Sequence, residues 1–395
     1  MKISIVINGT RGDVQPMLAL AVELLKKGHD IVFCAPPENK ALVEKYHCPF
    51  VAFGPDYREL FRQNSKMKGG ATKSPSPAEM KRQTGEQTDL LPGLIKGSDL
   101  VLGVGFVLGV HTAADMLNIP YRFVIFYPAL LGTAKTDPLI FRMLFGFGRS
   151  ATNMAMKGFI NKKRFAAGLD PIKDVWQHWM GDEVIVACDK ELNAVPEGVL
   201  FRNIQTGYML LPSSSHLPDP VERFLKEGEP PVYIGFGSNP VARPEKFGKI
   251  FANVAAACGQ RLIISRGWAE LPAVNTSDIL YVDDVPFELL FPGLKAIIYH
   301  GGTGTMASAA RAGIPQAAFP FMADQFANRK QIVKLGLGPE TCDFKKITEA
   351  RLISAIKDCT GNDLYRRNAL ELSQKLQHAN GLEQTLDLIE KFVLP

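Results

Sequence analysis

A chain of 395 residues is long for a single hydrophobic core and favours two domains. With 46% hydrophobic and 22% charged residues it has an ordinary globular composition, and a net charge of +5 over short basic clusters gives no ground for nucleic-acid binding, while suiting an anionic ligand or a membrane surface. No run of about 18 apolar residues predicts a membrane span, and six cysteines without a C-x-x-C pair or metal-ligand spacing point to reduced thiols in a cytoplasmic protein with no metal site.

The first predicted element is a buried strand at Ile3–Ile7. Val14–Lys27 then places Met17, Leu18, Ala21, Leu24 and Leu25 on one helical face, and Gly28 stops that helix before a second strand at 31–34. A β-α-β opening of this kind implies a parallel sheet with a right-handed crossover. Further strands are expected at Phe50–Phe53, Leu100–Val104, Arg122–Phe126 and Val184–Ala187. Residues 64–88, rich in Gly, Ser and Pro, break the pattern and read either as a mobile excursion beside a cleft or as a surface loop. Residues 127–180 are rich in aromatics and Met, suited to helix core or to an apolar pocket. No strong amphipathic anchor stands out.

Alternation restarts after a Pro- and Ser-rich stretch. Strands are predicted from Pro231 and at Arg261–Ser265, Ile279–Val282, Ala296–His300 and Pro315–Phe319. Helices are predicted at Phe247–Ala257, Thr303–Ala312, Gln325–Leu335, Glu349–Asp358, Asp363–Gln377 and Leu382–Phe392. The fold class is therefore α/β, with two Rossmann-like, doubly wound parallel-sheet domains facing a cleft. The expected division is an N-terminal domain over 1–210, a linker over 211–220, a C-terminal domain over 221–378 and a last helix within 379–395.

His300-Gly301-Gly302-Thr303-Gly304-Thr305 carries the chemistry of the second domain. A strand leads into it and a helix leads out. Glycines let ligand phosphates approach the backbone, the helix N-terminus offers free N–H groups and partial positive charge, and His300 adds a donor. About twenty residues later Asp324-Gln325 follows a strand, where carboxylate and amide suit sugar hydroxyls. A phosphate site next to a polyol site suggests a nucleotide-sugar. In the first domain Asp13 follows a strand and begins a helix, a position that suits either a plain N-cap or a cleft-facing carboxylate.

Taken together, these residues resemble the GT-B glycosyltransferases of the UDP-glycosyltransferase superfamily, especially the vancomycin-group and sterol glucosyltransferases. The likeness rests on Gly9-Thr10-Arg11-Gly12-Asp13-Val14-Gln15-Pro16, Ala35-Pro36-Pro37, Gly235-Phe236-Gly237-Ser238, the turn at 300–305 and Asp324-Gln325, in that order along nearly the whole chain. It implies that Asp13 is the catalytic base. His300, Gly302, Thr303, Gly304 and Thr305, with Ser238, Arg11 and Gly12, would bind the donor diphosphate. Asp324 and Gln325 would hold the sugar, and Trp268 and Val285 the nucleobase. Many relatives carry a second His where Tyr299 stands, and the stretch from about 55 to 180 matches no motif.

The resemblance further implies an inverting hexosyl transfer, glucose foremost, from a UDP-sugar to a lipophilic alcohol such as a sterol, polyketide, terpenoid or hydroxy-lipid. It implies no metal and no cofactor beyond the nucleotide-sugar co-substrate, and a last helix packed back on the N-terminal domain. A dTDP-sugar donor, a nucleotide-sugar epimerase and a non-catalytic nucleotide-sugar-binding scaffold are the alternatives. Peripheral membrane association would suit a lipid acceptor.

Overall fold

The computed structural model describes residues 1–68, 76–133, 139–212, 216–241, 244–269, 271–272, 276–322 and 324–393. Two parallel sheets organise them. The first holds seven strands, β1 (Lys2–Asn8), β2 (Asp30–Ala35), β3 (Phe50–Ala52), β4 (Leu100–Gly105), β5 (Tyr121–Ile125), β6 (Val184–Val186) and β7 (Asn203–Gln205), in the order β3-β2-β1-β4-β5-β6-β7. The second holds five, β8 (Val232–Gly235), β9 (Leu262–Ser265), β10 (Ile279–Val282), β11 (Ala296–Tyr299) and β12 (Gln316–Ala318), in the order β10-β9-β8-β11-β12. Both faces of each sheet are covered, so the strands are almost uniformly apolar. Ile3, Ile5 and Ile7 of β1 enter one core cluster while Val6 enters another on the opposite face.

Both sheets reverse their winding direction once, between β1 and β4 in the first and between β8 and β11 in the second. In open α/β sheets the carboxyl ends of the strands at that reversal form a crevice where ligands bind. Asn8 pairs in register with Gly105 and Gly235 with Tyr299, so the motifs at 9–16, 235–238 and 300–305 all emerge at these two crevices.

Seven helices frame the crevices and the surface beside them. Helix α1 (Arg11–Lys26) leaves β1. Helices α2 (Tyr57–Lys68) and α3 (Pro77–Ile95) flank residues 69–75, and α4 (Leu139–Ala166) runs for 28 residues. In the second domain α5 (Thr303–Ala312) leaves β11, α6 (Asp324–Lys334) follows β12, and α7 (Gly381–Val393) ends the described chain. The polar stretch at 64–88 is thus largely helical, and its residues 69–75 lie outside the described residues. Ser76 caps α3 by accepting from Glu79 N at 3.2 Å, Pro77 sits in the first turn, and Arg82 bridges Glu79 and Glu86 one turn to either side. The aromatic stretch at 127–180 is only partly core: Met156 and Ile160 of α4 are buried, whereas much of its first half is exposed.

The two sheets are tied by a buried polar cluster at the far end of α5. Asp189, whose side chain is 0% exposed, holds the guanidinium of Arg311 from the last turn of α5 through bonds of 2.8 and 2.9 Å. The same carboxylate accepts Tyr208 N, and Thr385 of α7 donates to Thr206 at 2.8 Å. Helix α7 packs on α1, where Lys27 and Glu390 pair at 3.0 Å. The six cysteines are free, and among the described residues no helix is long and apolar enough to cross a membrane.

Candidate active site

At the end of β1 the chain turns through Gly9 and Thr10 into α1. Asp13 is the third residue of that helix, not its N-cap. Its backbone N–H donates to Thr10 O and its Oδ2 accepts Thr10 N, both at 2.9 Å. The carboxylate folds back over Gly9 so closely that a Cβ there would overlap Oδ2. Burial pushes Asp13 from 3.8 up to about 7, against the stabilising Thr10 N–H and with a further push from the charge of Asp324. A helix N-terminus weakens a carboxylate as a base; here desolvation by burial outweighs it.

In the second domain β11 ends at Tyr299, and Gly302 is the N-cap of α5. The N–H groups of Thr303, Gly304 and Thr305 have no intrahelical acceptor, because the first turn's bond runs from Met306 N to Gly302 O. These groups suit an anion, aided by the positive helix end. His300 lies between Gly237 and Gly302, so close to the latter that a Cβ on Gly302 would overlap the ring. Its Nδ1 is buried with no partner in hydrogen-bonding geometry among the described residues. Burial lowers its pKa to about 4, and the Gly235 backbone opposes the shift only in part. His300 is therefore a neutral donor at pH 7, and the positive field at the turn comes from the helix end.

Thr303 Oγ1 donates to Asp324 Oδ2 at 3.3 Å, and Asn328 Nδ2 donates to Thr303 Oγ1 and Gly301 O at 3.0 and 2.8 Å. This network joins the glycine turn to the start of α6. Burial raises Asp324 to about 6, with the Thr303 hydroxyl opposing. The Asp324 charge, when present, adds to the upward push on Asp13 across the cleft. Gln325 is buried, and its Oε1 accepts Phe321 N and Met322 N at 2.8 and 3.3 Å. Its carbonyl shapes the preceding loop, which leaves Nε2 as the group for a ligand.

The remaining predicted residues fall at the rim or close to it. Ser238 is half-buried in the turn after β8, beside the His300 side of the crevice. Trp268 is half-buried, so it is not a core tryptophan. Its backbone N–H donates to Gly237 O at 3.2 Å, and Phe61 of α2 meets its ring edge-on at 6.1 Å. Val285 is buried. Arg11 pairs with the neighbouring Asp284 at 2.7 Å, an exposed bridge between domains rather than a contact at the glycine turn. Gly12 is exposed. Tyr299 turns away from the crevice, fully buried, and donates to Gln316 at 2.8 Å, so it does not stand in for a second His.

Two tyrosines join the site that sequence reasoning did not assign to it. Tyr127, just after β5, is pushed up by burial and then by the charges of Asp324 and Asp13, so it lies within electrostatic range of both carboxylates. Tyr208 follows β7. A Cβ on Gly304 would come within 2.5 Å of its Oη, and it too is pushed up by burial and the Asp13 charge. Its hydroxyl thus lies against the anion-binding turn, within electrostatic range of Asp13. The position of Tyr127 at a strand's carboxyl end was a usable signal. Tyr208 carried none, because its place depends on how the second domain docks. On the first-domain side a cavity of about 300 Å³ opens by Asn8, Phe53, Gly54, Gln83, Gln87 and Leu90. Tyr57 donates to Asn8 there at 2.9 Å.

Among the described residues one group, His111, Asp115 and His178, brings metal-ligand atoms within 4.8 Å of one another. The two rings stack 4.4 Å apart and nearly parallel, so their lone pairs do not converge. Nδ1 of His111 lies 2.6 Å from His178 O, and Arg164 neutralises Asp115. This is a packed polar cluster rather than a metal cage.

Residues 3–89 match the glycosyltransferase family 28 N-terminal domain, and residues 262–381 match the erythromycin biosynthesis protein CIII-like C-terminal domain. The chain is 31% identical over 357 residues to the vancomycin aglycone glucosyltransferase of Amycolatopsis orientalis, covering 86% of this chain and 85% of that one. It is 27% identical over 433 residues to a sterol 3-beta-glucosyltransferase of Arabidopsis thaliana, covering 100% and 68%. The fold is shared with the glycosyltransferase VinC, solved in complex with dTDP, at a TM-score of 0.69 and 16% identity over 100% of this chain and 99% of that one.

Proposed function

This chain belongs to the GT-B glycosyltransferase superfamily, with the vancomycin-group and sterol glucosyltransferases as relatives, and within it we propose an inverting, metal-independent hexosyltransferase acting on a lipophilic alcohol. The observation that carries this reading is the meeting of the two crevices, where α1 with Asp13 packs against α5, Arg11 bridges to Asp284 at 2.7 Å and the Tyr208 hydroxyl reaches Gly304 beside the Thr303–Asp324 pair. Asp13 accepts the acceptor's hydroxyl proton. The oxygen attacks the anomeric carbon as the bond to the diphosphate oxygen breaks, and that bond's electron pair leaves with the diphosphate. An α-linked donor gives a β-glycoside.

The charge developing on the departing diphosphate meets the N–H groups of Thr303, Gly304 and Thr305 and the neutral N–H donor of His300. Ser238 adds a hydroxyl from the adjoining turn. Asp324 and the Nε2 of Gln325 hold hexose hydroxyls, which favours glucose-like donors over deoxy sugars. Trp268 and Val285 take the base. The donor we favour is a UDP-sugar, and a dTDP-sugar is the second reading, prompted by the dTDP bound to VinC.

Thermal unfolding with UDP, dTDP, GDP and ADP in parallel tests the donor site. A nucleotide at about 100 times its Kd adds roughly 2.7 kcal/mol of stability. Stabilisation by UDP or dTDP alone supports the reading and names the base; stabilisation by none of the four overturns it.

A further inference from the structure

The first half of α4 carries a feature that glycosyl transfer does not use. Leu139, Ile140, Phe141, Met143, Leu144 and Phe147 are each about half exposed or more, Phe147 to 75%. At 100° per residue these six fall on one arc of about 200°. Phe145 points the other way and meets Trp176 edge-on at 5.3 Å, which fixes the helix to the body of the domain. A contiguous apolar arc on a monomer marks an interaction surface, whereas scattered exposed apolar residues do not.

The charge of the helix says what covers it. Its 28 residues include Arg142, Arg149, Lys157, Lys162, Lys163 and Arg164 and no carboxylate. Asp174, Asp89 and Asp115 pair with Arg149, Lys163 and Arg164, so among the described residues Arg142, Lys157 and Lys162 have no acidic partner. At the first half of the helix the unpaired cations among the described residues are Arg142 at the margin of the arc and Lys330 over Phe141, so a second copy would bring like charges together at that end, at an electrostatic cost. An anionic bilayer fits both properties: apolar side chains enter the acyl boundary and unpaired cations meet lipid phosphates. We propose that the first half of α4 docks on an anionic lipid bilayer.

The surface borders the site. Lys330 Nζ of α6 lies 5.2 Å over the Phe141 ring, and α6 begins with Asp324-Gln325. Gly132, which precedes α4, approaches Phe145. A protein docked through this arc brings its cleft to the lipid surface, so an acceptor dissolved in the bilayer reaches Asp13 without crossing water. This consequence rests on the lipophilic acceptor proposed above, whereas the docking itself does not.

Flotation with phosphatidylcholine vesicles, with and without one quarter phosphatidylglycerol, tests it on the full chain. The protein floats with the anionic vesicles and releases in high salt. Leu144→Asp with Phe147→Asp weakens binding at least about tenfold, and Arg142→Glu weakens it on anionic vesicles alone. Phe147→Trp gives a fluorescence blue shift on those vesicles. Failure of the protein to float, or binding unchanged in the double variant, overturns the proposal. So does a dimer in light scattering that the double variant splits, which would assign the face to a second copy. The nucleotide melts report separately on transfer: vesicle binding without a nucleotide shift sinks the donor site and keeps the surface, and a nucleotide shift without vesicle binding does the reverse.

Discussion

Asp13→Asn separates catalysis from folding in one substitution. Burial holds this carboxyl at about 7 instead of 3.8. Its folded value lies above its unfolded one, so the stability it contributes is present below about pH 4 and is lost as pH rises through about 7. Ionising it in the folded chain costs up to about 4 kcal/mol. Asparagine keeps an oxygen for Thr10 N, cannot ionise and cannot take a proton. In urea unfolding the variant should therefore be more stable than the parent by up to about 4 kcal/mol at pH 8 and by about 2 kcal/mol at pH 5, where the parent's folded carboxyl is still protonated. Turnover with UDP-glucose and a lipophilic alcohol should fall roughly 10²- to 10⁴-fold while the nucleotide thermal shift survives. The parent's kcat/KM should rise with pH through about 7. Near-normal turnover would remove Asp13 as the base, and an equal stability gain at both pH values would refute the desolvation argument.

Three other substitutions probe the surroundings. Gly9→Ala places a methyl where Asp13 Oδ2 lies, so kcat should drop about tenfold or more with donor KM unchanged; a variant with parental kcat would show that the carboxylate can move without consequence. Tyr208→Phe removes a hydroxyl beside Gly304 and keeps the packing, so donor KM should rise about tenfold if that hydroxyl reaches the diphosphate, and an unchanged KM in steady-state kinetics would limit Tyr208 to packing. Arg311→Met leaves Asp189 buried and unpaired, which should cost about 3–5 kcal/mol in urea unfolding; a loss under 1 kcal/mol would show that water reaches that carboxylate.

The parallel sheets were legible because their strands are buried on both faces and read as unbroken apolar runs such as Ile3–Ile7 and Ala296–Tyr299. The glycine turn and Asp13 were legible because each follows such a run and opens a helix. Helix α3 was missed because Gly, Ser and Pro dominate the segment before it. Its start signals were nonetheless present in Ser76, Pro77 and Glu79, a cap followed by an acidic residue at the third helical position. The short β7 was missed because three half-buried residues carry too little periodicity. The exposed half of α4 defeated pattern reading differently: its apolar residues have helical spacing, and spacing alone does not say whether a face meets protein or lipid.

What no local pattern contains is the coupling between domains. Asp13 hydrogen-bonded only within its helix start would be an acidic carboxylate, poorly suited to accept a proton at pH 7. Burial desolvates it, and the second domain adds the Asp324 charge. Helix α5 makes that possible, because it presents Thr303 to Thr305 to the cleft at one end and is held to the first domain by Arg311 and Asp189 at the other. Ten helical residues span about 15 Å, so a tilt at the Arg311 end moves the anion-binding end and the Thr303–Asp324 pair together. The basicity of Asp13 and the position of the donor turn are thereby both coupled to the Arg311–Asp189 contact, one of several between the domains, and a substitution that loosens Arg311 should lower the Asp13 pKa and displace the donor turn in the same variant.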